Sequence, residues 1–201
     1  MGDVATSTAA GLPRLPALDE LNTSTLSEFR AAMNVFFESA DVLGDRLYRC
    51  RPFTSYPAVL QAADGLLRNA AALSDAERVA VINAHPRLGS RDLEQLSVLS
   101  RAEQSGGLPG APGARTEPEP REVGTKRALL ETFAQLNRAY EEKYGFRFLI
   151  FVDGRSKEEL LPVFQDRLHN SSREKEMETA LHDTIHIAGS RLRVLLPADQ
   201  P

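Results

Sequence analysis

Along most of this 201-residue chain, apolar positions recur at helical rather than strand spacing. Leu26, Phe29, Met33, Phe36 and Phe37 form a stripe behind Thr25 and Glu28, which stand at capping-box spacing. "RPFTSYP" at 51–57 predicts a connector, and Val59, Leu60, Ala63, Leu66 and Leu67 predict a helical face within 57–71. Ser74 and Glu77 box a short helix through Val79 and Ile82. It should end at His85, because Pro86 pushes the residue before it out of helical angles. A helix over 90–104 presents Leu93, Leu96 and Leu99. Another over 125–144 presents Leu129, Leu130, Phe133, Leu136 and Tyr140, with Gly145 as a left-handed cap. Ser156 with Glu159 and Ser171 with Glu174 box the last two helices. Their apolar faces carry Leu160, Val163, Phe164 and Leu168, then Met177, Leu181, Ile185, Ala188, Leu192 and Leu195.

Three stretches break the helical pattern. "FRFLIFVDG" at 146–154 reads as a strand without a partner, so an extended segment threaded through a helical core is expected. Residues 1–17 are small, polar and proline-punctuated, which predicts a mobile arm. Residues 105–124 are too rich in glycine and proline to bury a core and predict a long exposed loop, either an inert insertion or a flap. The sum is an all-α fold: one domain over 18–197, with about seven or eight packed helices.

Composition narrows the function. A formal net charge of -4 argues against nucleic acid as the main partner, since phosphate neutralisation needs a concentrated basic surface. The single cysteine, Cys50, forms neither an internal disulfide nor a cysteine metal cluster, which fits a reducing, cytoplasmic setting. No apolar run approaches the ~20 residues needed to span a bilayer. Gly2 and Thr6 satisfy the loose myristoylation pattern, but no polybasic segment supplies a second anchor. The opening lacks the regions of a signal peptide, and "PADQP" is not the usual peroxisomal tripeptide.

Candidate chemistry lies in four places. In "NAHPRLG" an imidazole at a helix exit stands beside a rigid proline, the arrangement of a preorganised proton carrier or of an ordinary cap. In "SRAEQ", Ser100, Glu103 and Gln104 share one helix face and could position a polar substrate, or form a solvated helix end. His182 and His186 stand i, i+4, a zinc-binding spacing, but Asp183 replaces the glutamate expected after the first histidine of a zinc protease. His169 or an acidic residue would have to complete the ligand set. Arg191 falls on the buried face of the last helix and demands a carboxylate or an anionic ligand.

"NAHPRLG", "SRAEQSGGL", "YGFRFLIFVDGRS" and "TALHDTIHIAGSRL" together resemble, in order and spacing, the ureidoimidazoline (OHCU) decarboxylases of purine breakdown, over roughly residues 15–197. The resemblance implies an all-α, cofactor-free homodimer that converts 2-oxo-4-hydroxy-4-carboxy-5-ureidoimidazoline to (S)-allantoin. It further implies catalytic His85 assisted by Glu103, with Pro86, Ser100, Gln104, the backbone of Phe148, Leu149, Ile150, Phe151 and Val152, and Arg191 around the substrate. No metal belongs to this reading. Two alternatives stand beside it: a metal-dependent hydrolase built on His182 and His186, and a non-enzymatic helical interaction module, which should expose an apolar patch.

Overall fold

The computed structural model describes residues 12–89, 97–105 and 123–196. Among them nine helices and no strand occur: α1 Leu18–Thr23, α2 Leu26–Phe37, α3 Asp41–Tyr48, α4 Tyr56–Arg68, α5 Asp75–Ala84, α6 Val98–Ser105, α7 Val123–Tyr144, α8 Lys157–Asn170 and α9 Arg173–Leu195. The all-α expectation holds. The loop expected over 105–124 lies almost wholly outside the described residues, as does the first half of the helix expected over 90–104, with Leu93 and Leu96. Of the expected arm, residues 12–17 are described: Leu15 packs on the core, and the carbonyl of Pro16 accepts a hydrogen bond from the Tyr56 hydroxyl at 2.7 Å.

The caps explain where helices begin. Thr25, Ser74 and Ser156 each accept from the backbone N–H three residues on, and Glu28, Glu77 and Glu159 reach back to the cap's own N–H. The box expected from Ser171 and Glu174 is absent. Ser171 closes α8, and Ser172 caps α9 by accepting from Lys175 N. Helix α3 carried no sequence signal: it starts at Ala40 without a side-chain cap and contains Gly44. Tertiary contact stabilises it instead, through buried Leu43 and Leu47 and a two-pronged bond from Arg30 to Asp45 at 2.6 and 2.7 Å.

Helix α9 is the axis of the molecule and packs against α2, α4, α5 and α7. Met177, Ala180, Leu181, Thr184, Ile187, Ala188, Arg191 and Leu192 are buried along it at helical intervals. The segment 146–152 runs extended through the core, as the apolar run predicted, with Phe146, Phe148, Leu149 and Ile150 buried. Lacking a partner strand, it satisfies backbone groups with side chains: Arg147 N donates to Asn83 Oδ1, Arg167 Nη1 donates to Leu149 O, and Arg155 donates to Phe151 O and Val152 O. The Phe148 ring stacks on Phe164 with centroids 3.6 Å apart, which fixes the segment's register.

Candidate active site

The end of α5, the face of α6, the extended segment and α9 enclose one cavity. Its walls include His85, Pro86, Ser100, Glu103, Gln104 and all of Phe148 to Val152. Ten of the eleven residues singled out in the sequence therefore meet at one place, and Arg191 lies behind the wall. Leu88, Asp153, Gly154, Ile187 and Ser190 complete the lining.

His85 closes α5 in an extended conformation, φ -73° and ψ 145°, as the following proline requires. The residues after it are tied from four directions. Arg147 Nη1 donates to His85 O at 2.9 Å, and Asn137 Nδ2 donates to Leu88 O at 2.9 Å. Arg87 grips Glu141 through two bonds, and Gln104 accepts from Gly89 N while donating to Arg87 O. Gly89 has φ +73°, and a Cβ there would lie 3.0 Å from the Phe133 Cβ, so this turn needs glycine. The imidazole is thus held by its backbone. Its Nε2 is buried with no protein hydrogen-bond partner. Burial, and then the positive charge of Arg191, push its pKa down to about 3 against an opposing pull from Glu38. At neutral pH His85 is an uncharged base.

On α6, Ser97 caps the helix by accepting from Ser100 N at 3.1 Å. Ser100, Glu103 and Gln104 share a face as their spacing predicted, but their bonds go to protein. Gln104 uses both ends of its amide on the turn after His85. Glu103 does not bond the imidazole: its two oxygens receive Arg191 Nε and Nη2, each at 2.8 Å.

Arg191 is 1% exposed and meets the demand that its inward position created. Besides Glu103, its Nη1 donates to Val35 O and Phe36 O, and its Nη2 reaches Ser100 Oγ at 3.0 Å and Glu38 Oε1 at 2.7 Å. Five N–H hydrogens face six protein acceptors. A substrate oxygen would reach this guanidinium only by displacing one of them.

Sequence reasoning missed Glu38, Leu88, Asp153, Gly154, Ile187 and Ser190. Ile187, Ser190 and Arg191 stand at i, i+3, i+4 on α9, so the inward arginine could have found the other two. Glu38 gave no signal, since it follows α2 and reaches α6 and α9 only through the fold. Burial raises its pKa, but Arg191 and the Ser100 hydroxyl outweigh that and leave the carboxyl below its ordinary value.

His182 and His186 touch through their Nε2 atoms at 3.2 Å on the exposed side of α9. Among the described residues no group of three His, Cys, Asp or Glu side chains could hold a metal ion. Large apolar side chains exposed among the described residues are Leu26 and Val98, far less than a docking patch needs. No helix among the described residues is long and apolar enough to cross a membrane.

The chain is 30% identical to a 2-oxo-4-hydroxy-4-carboxy-5-ureidoimidazoline decarboxylase of Halalkalicoccus jeotgali, over 90% of this chain and 93% of that one. It is 28% identical to a uric acid degradation bifunctional protein of a Bacillus species, over 88% of this chain but 31% of that longer protein. Its fold matches that of an OHCU decarboxylase crystallised in the presence of (S)-allantoin, with a TM-score of 0.53 at 22% identity, covering 81% of this chain and 93% of that chain. The family model described as OHCU decarboxylase matches residues 22–193, and the chain belongs to that family.

Proposed function

We propose that this protein decarboxylates 2-oxo-4-hydroxy-4-carboxy-5-ureidoimidazoline and releases (S)-allantoin, with His85 as the proton carrier. The enzyme is a decarboxylase, a lyase, of urate degradation, as its family and relatives are. The observation that carries the assignment of His85 is a buried, uncharged imidazole lining the cavity, with an Nε2 that no protein group engages. Breaking the bond from ring carbon to carboxylate sends its electron pair toward the adjacent ring C=N, whose nitrogen takes a proton. The resulting enol becomes a carbonyl as its hydroxyl proton leaves and a proton is added to the neighbouring carbon. The substrate supplies the electron sink, so the protein's work is orientation and proton delivery to one face.

The walls suit that work. Pro86, Leu88, Ile150 and Ile187 are apolar residues of the lining, and a carboxylate loses its charge as carbon dioxide, so partial exclusion of water favours the step. Burial, and then the charge of Arg191, keep the imidazole unprotonated until it meets the substrate, and Glu103 acts on His85 through that arginine. Backbone N–H groups of the extended segment orient the ring, since Arg167 holds the carbonyl of Leu149 and Arg155 those of Phe151 and Val152. The family likeness supports a homodimer, to be read by sedimentation, and the lone Cys50 supports a cytoplasmic setting.

The direct test follows circular dichroism after mixing enzyme with freshly generated substrate. The parent should accelerate the appearance of a single allantoin enantiomer, and His85→Asn should lower kcat by about 10²–10⁴-fold. Parent-like, stereospecific turnover by His85→Asn would refute the assignment.

A further inference from the structure

We propose that Glu38 is a positioning residue of this site: its carboxylate fixes Arg191 and the first turn of α6 and supplies the negative charge against which His85 becomes imidazolium during turnover. Three observations lead there. First, Glu38 ends α2 with φ 54° and ψ -153°, a backbone region that is nearly restricted to glycine. A side chain kept in such a place is held by its surroundings. Second, one oxygen, Oε1, gathers Ser97 Oγ at 2.9 Å, Ser100 Oγ at 2.6 Å and Arg191 Nη2 at 2.7 Å. A single acceptor thereby joins the end of α2, the cap of α6 and the central helix α9. Third, the two carboxylates nearest this arginine divide their work. Glu103 is fully engaged with the guanidinium, whereas Glu38 is the carboxylate whose charge favours protonated His85.

The charged groups around the imidazole come from every neighbouring element: Glu38 at the end of α2, Glu103 from α6, Arg191 from α9, Arg147 of the extended segment, bound to the His85 carbonyl, Asp153 after that segment in the cavity lining, and Arg87 of the turn after His85, paired with Glu141. Arg191 disfavours a proton on His85, and Glu38 opposes it. Removing the charge of Glu38 makes His85 a weaker base and frees the arginine to shift. Glu38 is not part of the cavity lining, so it acts through Arg191, Ser100 and the field at His85.

The test compares Glu38→Gln with Glu38→Asp. The kinetic half rests on the decarboxylase reading, and an NMR half does not. Without substrate, hydrogen exchange at the Arg191 Nε–H, identified by loss of its peak in Arg191→Lys, should be at least tenfold faster in Glu38→Gln than in the parent. With substrate, Glu38→Gln should lower kcat about a hundredfold with KM within threefold. The acidic limb of the kcat profile, which reports the enzyme–substrate complex, should move to lower pH by about one unit. Glu38→Asp keeps the charge and should stay within tenfold of the parent kcat with the limb in place. A fall in kcat with an unmoved limb in Glu38→Gln would mark a merely structural role and overturn the charge assignment. Unchanged Nε–H exchange would overturn the positioning role. Should Glu38→Gln not fold, a displaced limb in the charge-conserving Glu38→Asp would overturn the proposal, and a retained limb would support it. If the parent does not turn over the substrate, the functional reading fails while the exchange measurement still decides the positioning of Arg191.

Discussion

Two buried charge networks lie on either side of the extended segment, and they are built differently. On the far side, Glu176 is 2% exposed and bonds Tyr140 Oη at 2.5 Å and Arg167 Nε at 2.7 Å. Arg167 also lies over the Phe148 ring and donates to Leu149 O. Those bonds end on carboxylate, phenol and backbone, and Glu176, Tyr140 and Arg167 all stand outside the cavity lining. On the near side, Arg191 joins Glu38, Glu103 and Ser100 beside an imidazole that keeps one nitrogen unengaged. The far network holds a wall in place. The near one surrounds a group that must change charge; each side leaves one buried nitrogen without a partner, Arg167 Nη2 on the far side and His85 Nε2 on the near side. Buried ion pairs by themselves are weak evidence of net stabilisation, and what each is arranged around distinguishes these two.

The contrast breaks down if substitutions on both sides affect rate and stability alike. The largest expected effect on stability is at Arg167. Arg167→Leu leaves Glu176 buried without its cation and should cost about 3–5 kcal/mol in urea unfolding, with a loss in kcat that stays small beside that of His85→Asn. A smaller effect should appear with pH. His85 is neutral in the fold, with a pKa near 3, and has an ordinary value of 6.5 when unfolded. The unfolded chain therefore binds the extra proton between these values. The stability this group contributes is intact above pH 6.5 and lost as pH falls toward 3, at up to about 1.4 kcal/mol per pH unit. His85→Asn should remove that share, so the stability difference between parent and variant should change by about 2 kcal/mol from pH 6 to 4.5. The smallest effect belongs to Tyr140→Phe. It deletes one hydrogen bond while Arg167 still holds Glu176, and should cost about 1 kcal/mol in the same unfolding experiment with kcat unchanged.

The near network was partly legible in the sequence. His85 and Pro86 announced a fixed helix exit, because proline restricts its predecessor whatever surrounds it. The phase of the last helix put Arg191 inside, and the apolar run at 146–152 lacked a partner strand. These are local rules, and each survived folding. What remained hidden depends on distance along the chain. Glu38 stands 62 residues before Ser100 and meets it only after α2 and α6 pack, so no spacing rule reaches it. The partner of Arg191 was open between internal carboxylate and ligand, and the fold supplied two carboxylates. Gln104 had the composition of a ligand contact, yet its amide closes the turn after His85. Helix α3 was missed because its stability comes from Leu43, Leu47 and the Arg30–Asp45 pair rather than from caps or propensity.

The saturation of Arg191 bears on inhibitor chemistry. Its hydrogens already have owners in Glu38, Glu103, Ser100 and two backbone carbonyls, so the cavity offers an acidic molecule no waiting cation. A tight-binding compound for this site is a neutral ring that packs on Pro86 and offers a hydrogen to Nε2 of His85, and adding a carboxyl group to it should weaken the compound.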